Sequence, residues 1–293
     1  MTVLVFLDPA SEHGRIADAT QPQLMATDLG ATRGDGIFES LLVIHGTPRK
    51  LQAHLDRLDV SARAMHLEIP DQQAWRRAIT TALGEFAATE QADAPEVVLK
   101  LITTRGVEGA AAPTSWVSAF LPPATSQAQR ETGLAILLLD RGYDSAIAER
   151  APWLLQGAKT LSYAVNMAAI RYAKDQGADD VIFTSSDGKV LEGPTSTVLI
   201  ARQHDGGKEL LTPRRDSGIL PGTTQGALFS AAEDTGWKLG YGPLEPEDLK
   251  TADAVWLISS IRLLAPVNSV DGKPISTSPA MTGELTALLE NIV

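Results

Sequence analysis

The run Pro122-Pro123-Ala124-Thr125-Ser126-Gln127 sets two adjacent prolines where neither helix nor strand can continue, and so divides the 293-residue chain into two stretches. Each stretch must then close a core of its own. Before the break, residues 3–7 and 37–44 read as strands, the second apolar on both faces and closed by His45-Gly46-Thr47-Pro48. Leu51, Leu55, Leu58, Ala62 and Met65 recur at helical spacing and predict an amphipathic helix over 50–65. A second helix is expected from an N-cap at Asp71 to about residue 88, followed by strands over 97–103 and 116–121. After the break, strands are expected over 134–139, 180–184, 195–201 and 254–259. Helices are expected over 161–176, 222–236 and 278–292, and Asp187-Gly188 makes a hairpin turn. Many strands are joined by hairpins rather than alternating with helices, which disfavours a doubly wound parallel sheet and predicts an α+β fold in two lobes. The expected boundaries are a small N-terminal α/β domain over 1–121, an interdomain linker over 122–133 and a larger C-terminal domain over 134–293.

Composition narrows the partners. A net charge of −11 repels nucleic acid and anionic membrane surfaces unless a basic patch reverses the field, and Arg76-Arg77 and Arg214-Arg215 are isolated pairs. With no cysteine there is no disulfide framework and no thiolate metal site, and a reducing cytoplasm fits. The first residues carry no basic leader, and no apolar run approaches the roughly 18 residues that span a bilayer, so an unexported, soluble chain is expected. His13, His45, His54, His66 and His204 show no metal-ligand spacing, and no metal is expected.

Lys159, in Gly157-Ala158-Lys159-Thr160-Leu161-Ser162-Tyr163, and Glu192, in Leu191-Glu192-Gly193-Pro194-Thr195-Ser196-Thr197, form the most suggestive pair. A lone lysine is most often a solvated surface residue, and a lone glutamate at a turn is most often structural. Yet a lysine screened from water can condense with an aldehyde, and a carboxylate against a pyridine nitrogen keeps that ring protonated and electron-withdrawing. Together they point to pyridoxal 5'-phosphate (PLP). A phosphate could be met by Gly222-Thr223-Thr224 at a helix start, by Ser259-Ser260 at a strand end and by Arg57. Taken singly, Thr223-Thr224 is more often an ordinary helix cap and Arg57 more often part of a surface salt bridge.

In their order, Arg33-Gly34-Asp35-Gly36-Ile37-Phe38-Glu39, His54-Leu55-Asp56-Arg57-Leu58, Lys159-Thr160-Leu161-Ser162-Tyr163, Leu191-Glu192-Gly193-Pro194-Thr195-Ser196-Thr197 and Leu220-Pro221-Gly222-Thr223-Thr224 resemble the motifs of class IV (fold type IV) PLP enzymes. The resemblance spans about residues 30–270. It implies a D-amino acid aminotransferase-like fold whose larger domain holds an antiparallel-rich, barrel-like sheet, a homodimer, and a small-molecule amine substrate. Lys159 would be the Schiff-base lysine, with Glu192 on the pyridine nitrogen and Tyr163 beside the cofactor. Arg57, Thr223 and Thr224 would bind phosphate together with Ser259 or Ser260.

Within the family, Thr160-Leu161-Ser162-Tyr163 and Gly34-Asp35-Gly36 are similar to the lyase and D-amino acid patterns rather than the branched-chain one. The loop after Arg105-Gly106 lacks the Arg-x-His carboxylate trap common in D-amino acid aminotransferases. The likeness is nearest to 4-amino-4-deoxychorismate lyases, which release 4-aminobenzoate and pyruvate on the folate route. The alternative is transamination of D- or branched-chain amino acids. Arg33, Arg105 and Arg262 are the candidates for substrate carboxylates, with Phe38 lining the substrate site.

Overall fold

A computed structural model of the chain describes residues 1–292, which form two compact units. One holds Met1–Pro123 with Ala158–Tyr163, and the other holds Ala124–Gly157 with Ala164–Ile292.

In the first unit the chain runs β1 (Val3–Phe6), β2 (Arg15–Ala17), α1 (Leu29–Arg33), β3 (Gly36–Ile44), β4 (Thr47–Pro48), α2 (Leu51–Ala64), α3 (Gln72–Ala87), β5 (Glu96–Thr104) and β6 (Thr114–Phe120). Its sheet has the order β2-β1-β6-β5-β3-β4 with every ladder antiparallel. The long central pair β3 and β5 runs in register from Gly36 opposite Thr104 to Ile44 opposite Glu96. Side chains alternate between the two faces of such a strand. Ile37, Leu41 and Val43 therefore join Leu99 and Leu101 against Leu55, Leu58, Trp75 and Ile79 of α2 and α3. Phe38, Ser40 and Lys100 fall on the other face. Asp71 caps α3 as its position suggests, accepting the Ala74 N–H at 2.7 Å, a contact worth about 1 kcal/mol.

The second unit runs α4 (Ala124–Thr132), β7 (Leu134–Asp140), α5 (Ile147–Arg150), α6 (Ala164–Asp175), β8 (Asp180–Thr184), β9 (Thr197–His204), β10 (Gly207–Pro213), α7 (Thr223–Ala232), β11 (Trp237–Gly242), α8 (Pro246–Thr251), β12 (Ala254–Ser259), β13 (Leu263–Val270), β14 (Lys273–Pro274) and α9 (Pro279–Glu290). The sheet order is β11-β10-β9-β12-β13-β7-β8, with β14 paired to β13. Its middle ladders are antiparallel and its flanking ones, β10 with β11, β13 with β7 and β7 with β8, are parallel. Both faces are covered. Val198, Ile200, Val255 and Leu257 pack into one core, while Leu199, Trp256 and Ile258 pack with Leu228, Phe229, Met281 and Leu285 of α7 and α9. That two-sided burial explains the unbroken apolar run of β12.

Three local expectations change. Residues 124–132, expected in the interdomain connection, form α4, a helix without a single buried residue and so without the apolar stripe of a core helix. The helix expected over 161–176 begins only at Ala164, because Leu161 N–H donates to Gly36 O at 2.8 Å and Thr160 bridges Ile37. Those contacts also place Lys159 in the first unit, not in the C-terminal domain where its sequence position puts it.

Candidate active site

Two groups of side chains carry chemistry, one in each unit. In the first, residues 158–161 lie against the start of β3: Phe38 N–H donates to Lys159 O at 3.1 Å, and Lys159 N–H donates to Ser61 Oγ at 3.0 Å. Gly36 makes this approach possible. A Cβ there would stand 2.5 Å from Thr103 O and 2.7 Å from Leu161 Cδ1, well inside contact distance. The Lys159 ammonium position is 4.3 Å from the centre of the Phe38 ring and 5.7 Å from that of Tyr163, and the two rings meet edge to face at 5.3 Å. Lys159 is thus half-buried against an aromatic corner.

A second lysine reaches the same ring. Lys100 Nζ sits 4.9 Å from the Phe38 centroid, on a strand flanked by fully buried Leu99 and Leu101. Burial lowers its pKa from the ordinary lysine value. Sequence reading missed Lys100, which looks like a polar interruption of an apolar strand. The available signal was that strand itself: a charge in the middle of Val97-Val98-Leu99-Lys100-Leu101-Ile102 is costly unless used.

On the other face of β3, Glu39 is fully buried and bound on three sides. Arg57 donates from Nε to Oε1 at 2.6 Å and from Nη2 to Oε2 at 2.8 Å, and His54 Nδ1 lies 2.7 Å from Oε2. Burial alone would raise the Glu39 carboxyl. The charge and fork of Arg57, with the His54 bond, outweigh it and hold the group at about 2. Arg57 is therefore fixed by a carboxylate that commits two of its five N–H groups. Arg105 is similarly engaged, donating to Asp35 Oδ2 at 2.7 Å, Met65 O at 2.8 Å and His66 O at 3.2 Å. Arg33 ends α1 and is exposed.

In the second unit, Glu192 Oε2 accepts the Leu220 N–H at 3.1 Å, which orients the carboxylate. Its loop is tied down by Asn166, which donates to Pro194 O at 2.7 Å and accepts from Arg141 Nη1 at 3.0 Å. Arg141 also donates to Tyr143 Oη, which donates to Gln156 at 2.7 Å. Burial raises the Tyr143 pKa, and the Glu192 charge adds to the rise. Arg141, Tyr143 and Gln156 carry no motif in the sequence, whereas Asn166 lies in the stretch that follows Lys159.

Gly222 is the N-cap of α7, and a Cβ there would come within 2.5 Å of Thr197 Oγ1. With no cap side chain, the first N–H groups of the helix and its dipole suit an anion. Thr223 and Thr224 add hydroxyls, and Ser260 Oγ meets them at 3.2 and 3.0 Å. Ser259, next to it, accepts the Arg262 N–H at 3.2 Å through its hydroxyl oxygen. Arg262 pairs with buried Asp180, Nη1 to Oδ2, at 2.7 Å. This donor set, an uncapped helix start with three hydroxyls, fits a phosphate monoester. The oriented Glu192 fits a protonated ring nitrogen, and the half-buried Lys159 amine fits an aldehyde, so the residues of both units suit PLP.

Comparison with known proteins gives the same direction. Residues 36–270 match the family model for amino-transferase class IV. A Mycobacterium tuberculosis (strain ATCC 25618 / H37Rv) protein described as a bifunctional aminodeoxychorismate lyase / D-amino acid transaminase is 46% identical over 269 residues, covering 91% of this chain and 92% of that one. Among solved structures, the PLP-bound form of a hypothetical aminotransferase from Mycobacterium tuberculosis is similar at 43% identity with a TM-score of 0.92, covering 99% of this chain and 98% of the other. A fold IV transaminase from Curtobacterium pusillum is similar at 42% identity with a TM-score of 0.91, covering 99% of each.

Proposed function

The chain belongs to the class IV aminotransferases, PLP-dependent enzymes, and on that premise we propose that it is a 4-amino-4-deoxychorismate lyase that releases 4-aminobenzoate and pyruvate. The similarity over 91% of the chain to a protein described with that activity carries the reading. The same description includes D-amino acid transamination, which favours a second reading in which the chain transfers amino groups from D-amino acids.

When bound, PLP supplies an aldehyde carbon for an amine and a protonated ring that draws off an electron pair. The residues divide the remaining tasks. Lys159 would hold the aldehyde through its Nζ, and the same Nζ is the base that would take the proton from the substrate carbon bearing nitrogen. Glu192, aimed by Leu220, keeps the ring nitrogen protonated. Thr223, Thr224, Ser260 and the α7 N–H groups would hold the phosphate, together with the Arg57 guanidinium. The Phe38 and Tyr163 rings shield Lys159 from water. Lys100 is the cation for a substrate carboxylate, with Arg33 as an outer one, since Arg105 and Arg262 are engaged elsewhere. In the lyase, loss of that proton drives cleavage of the ether C–O bond. Enolpyruvate leaves, gains a proton to become pyruvate, and the ring becomes aromatic.

We place the enzyme in the cytoplasm as a homodimer. Val165, Met167 and Tyr172 of α6 and the nearby turn residues Trp153 and Leu154 are exposed, and Trp153 is 74% exposed. Large apolar side chains left open in this way suit a second copy. The activity test is an incubation of the PLP-loaded enzyme with 4-amino-4-deoxychorismate and no keto acid. Stoichiometric 4-aminobenzoate and pyruvate are expected. No 4-aminobenzoate, alongside amino exchange between D-alanine and 2-oxoglutarate, would replace the lyase reading by the transaminase one.

A further inference from the structure

Ser260 sits at the tip of the hairpin between β12 and β13, and that tip is held in an unfavourable shape. Leu263, which pairs with Ser259 across the hairpin, has φ +60°, the left-handed region that a side chain disfavours by about 1–2 kcal/mol. Such backbone persists only where its surroundings over-determine it. Three contacts do so here. Ser259 Oγ accepts the Arg262 N–H; the Arg262 side chain is anchored on buried Asp180; and Arg130, reaching from α4, donates from Nε to Arg262 O and from Nη2 to Ile261 O, both at 2.8 Å.

Arg130 lies on α4, a helix that buries no residue and packs along β13. What it delivers is a guanidinium whose two parallel N–H groups grip two consecutive carbonyls of the turn. One residue before them, Ser260 Oγ stands within 3.2 Å of both threonine hydroxyls at the start of α7.

We propose that Arg130 is a positioning residue for phosphate binding: by clamping the carbonyls of Ile261 and Arg262 it fixes the hairpin so that Ser260 completes the hydroxyl cluster at the start of α7. This rests on the reading that Thr223, Thr224 and Ser260 hold the phosphate of PLP. The bonds from Arg130 to the turn end on main-chain carbonyls, so its effect on the phosphate is geometric. A lysine in its place keeps the charge but cannot span two carbonyls.

The test compares PLP with pyridoxal, its phosphate-free counterpart, as ligands of the apoenzyme, followed by quenching of tryptophan fluorescence. In Arg130→Lys and Arg130→Gln the Kd for PLP is expected to rise about tenfold, as is usual when a group that orients a ligand-binding residue is lost, while the Kd for pyridoxal stays within about twofold. Wild-type PLP affinity in Arg130→Lys, or equal weakening of both ligands in the two variants, overturns the proposal. Thr223→Ala/Thr224→Ala separates the two layers. If that variant keeps the wild-type ratio of PLP to pyridoxal affinity, the phosphate reading itself fails. If it loses the ratio while both Arg130 variants keep it, only the positioning role fails. Should Arg130→Gln fail to fold, Arg130→Lys still decides.

Discussion

Arg57 in the first unit and Ser260 in the second are both expected to meet a phosphate, yet they are prepared for it in opposite ways. Arg57 is held by two short bonds to a carboxylate with no exposure, so much of its charge is already balanced before any ligand arrives. Ser260 belongs to three neutral hydroxyls that bond one another and can each turn from acceptor to donor. The first arrangement is costly to break in the empty protein. The second is cheap to leave empty and responsive when an anion binds. Fold stability should therefore rest on the charged group, and cofactor affinity on the hydroxyls.

The largest effect should come from a change that leaves both arrangements intact. Lys159→Ala removes the amine alone, and turnover should fall at least about a thousandfold, since covalent anchoring and proton transfer are both lost. Borohydride reduction of the PLP-loaded wild type followed by peptide mapping should find the label on Lys159. A label elsewhere, or steady turnover in Lys159→Ala, removes the lysine from its role.

Next in size is Glu39→Gln, which should lower the free energy of unfolding by about 3 kcal/mol because it strands the Arg57 charge in a buried site. The pH dependence has a definite sign. The Glu39 carboxyl lies at about 2 in the folded chain against 4.5 in the unfolded one, so its contribution is complete above 4.5 and is lost as pH falls toward 2. Urea titrations over that range should show a steep loss of stability in the wild type and a flatter one in Glu39→Gln. Parallel curves would mean the buried network does not carry the stability assigned to it.

The contrast also explains which parts were legible from sequence. The hydroxyl cluster was visible because Gly222-Thr223-Thr224 is local: a tight glycine, then hydroxyls at a helix start. Likewise the α3 cap, the α2 stripe and the apolar run of β12 are written within a few residues. What stayed hidden depends on distant partners. Arg57 looks like a free cation until β3 and α2 bring Glu39 against it, and Arg262 until β8 supplies Asp180. Lys159 joins the first unit through bonds to residues 36–38 and Ser61, roughly a hundred positions earlier, which no local pattern encodes. Strand β13 was obscured by Pro266, tolerated because the parallel ladder to β7 starts only at Val267.

Lys100 lies between the two designs, a half-buried cation on the sheet face with Phe38, and it should give the smallest effect and the finest distinction. If it reads a substrate carboxylate, it must be protonated, and burial has moved its pKa below that of an ordinary lysine. The value of kcat/KM should then hold at neutral pH and fall as pH rises through that lowered pKa. Lys100→Arg, which stays charged throughout, should shift this alkaline limb to higher pH. Lys100→Met should weaken kcat/KM about tenfold at neutral pH through KM rather than kcat, the cost of one charge-assisted contact. Identical alkaline limbs in wild type and Lys100→Arg would instead make Lys100 a wall of the site, and would leave exposed Arg33 as the remaining cation for the substrate.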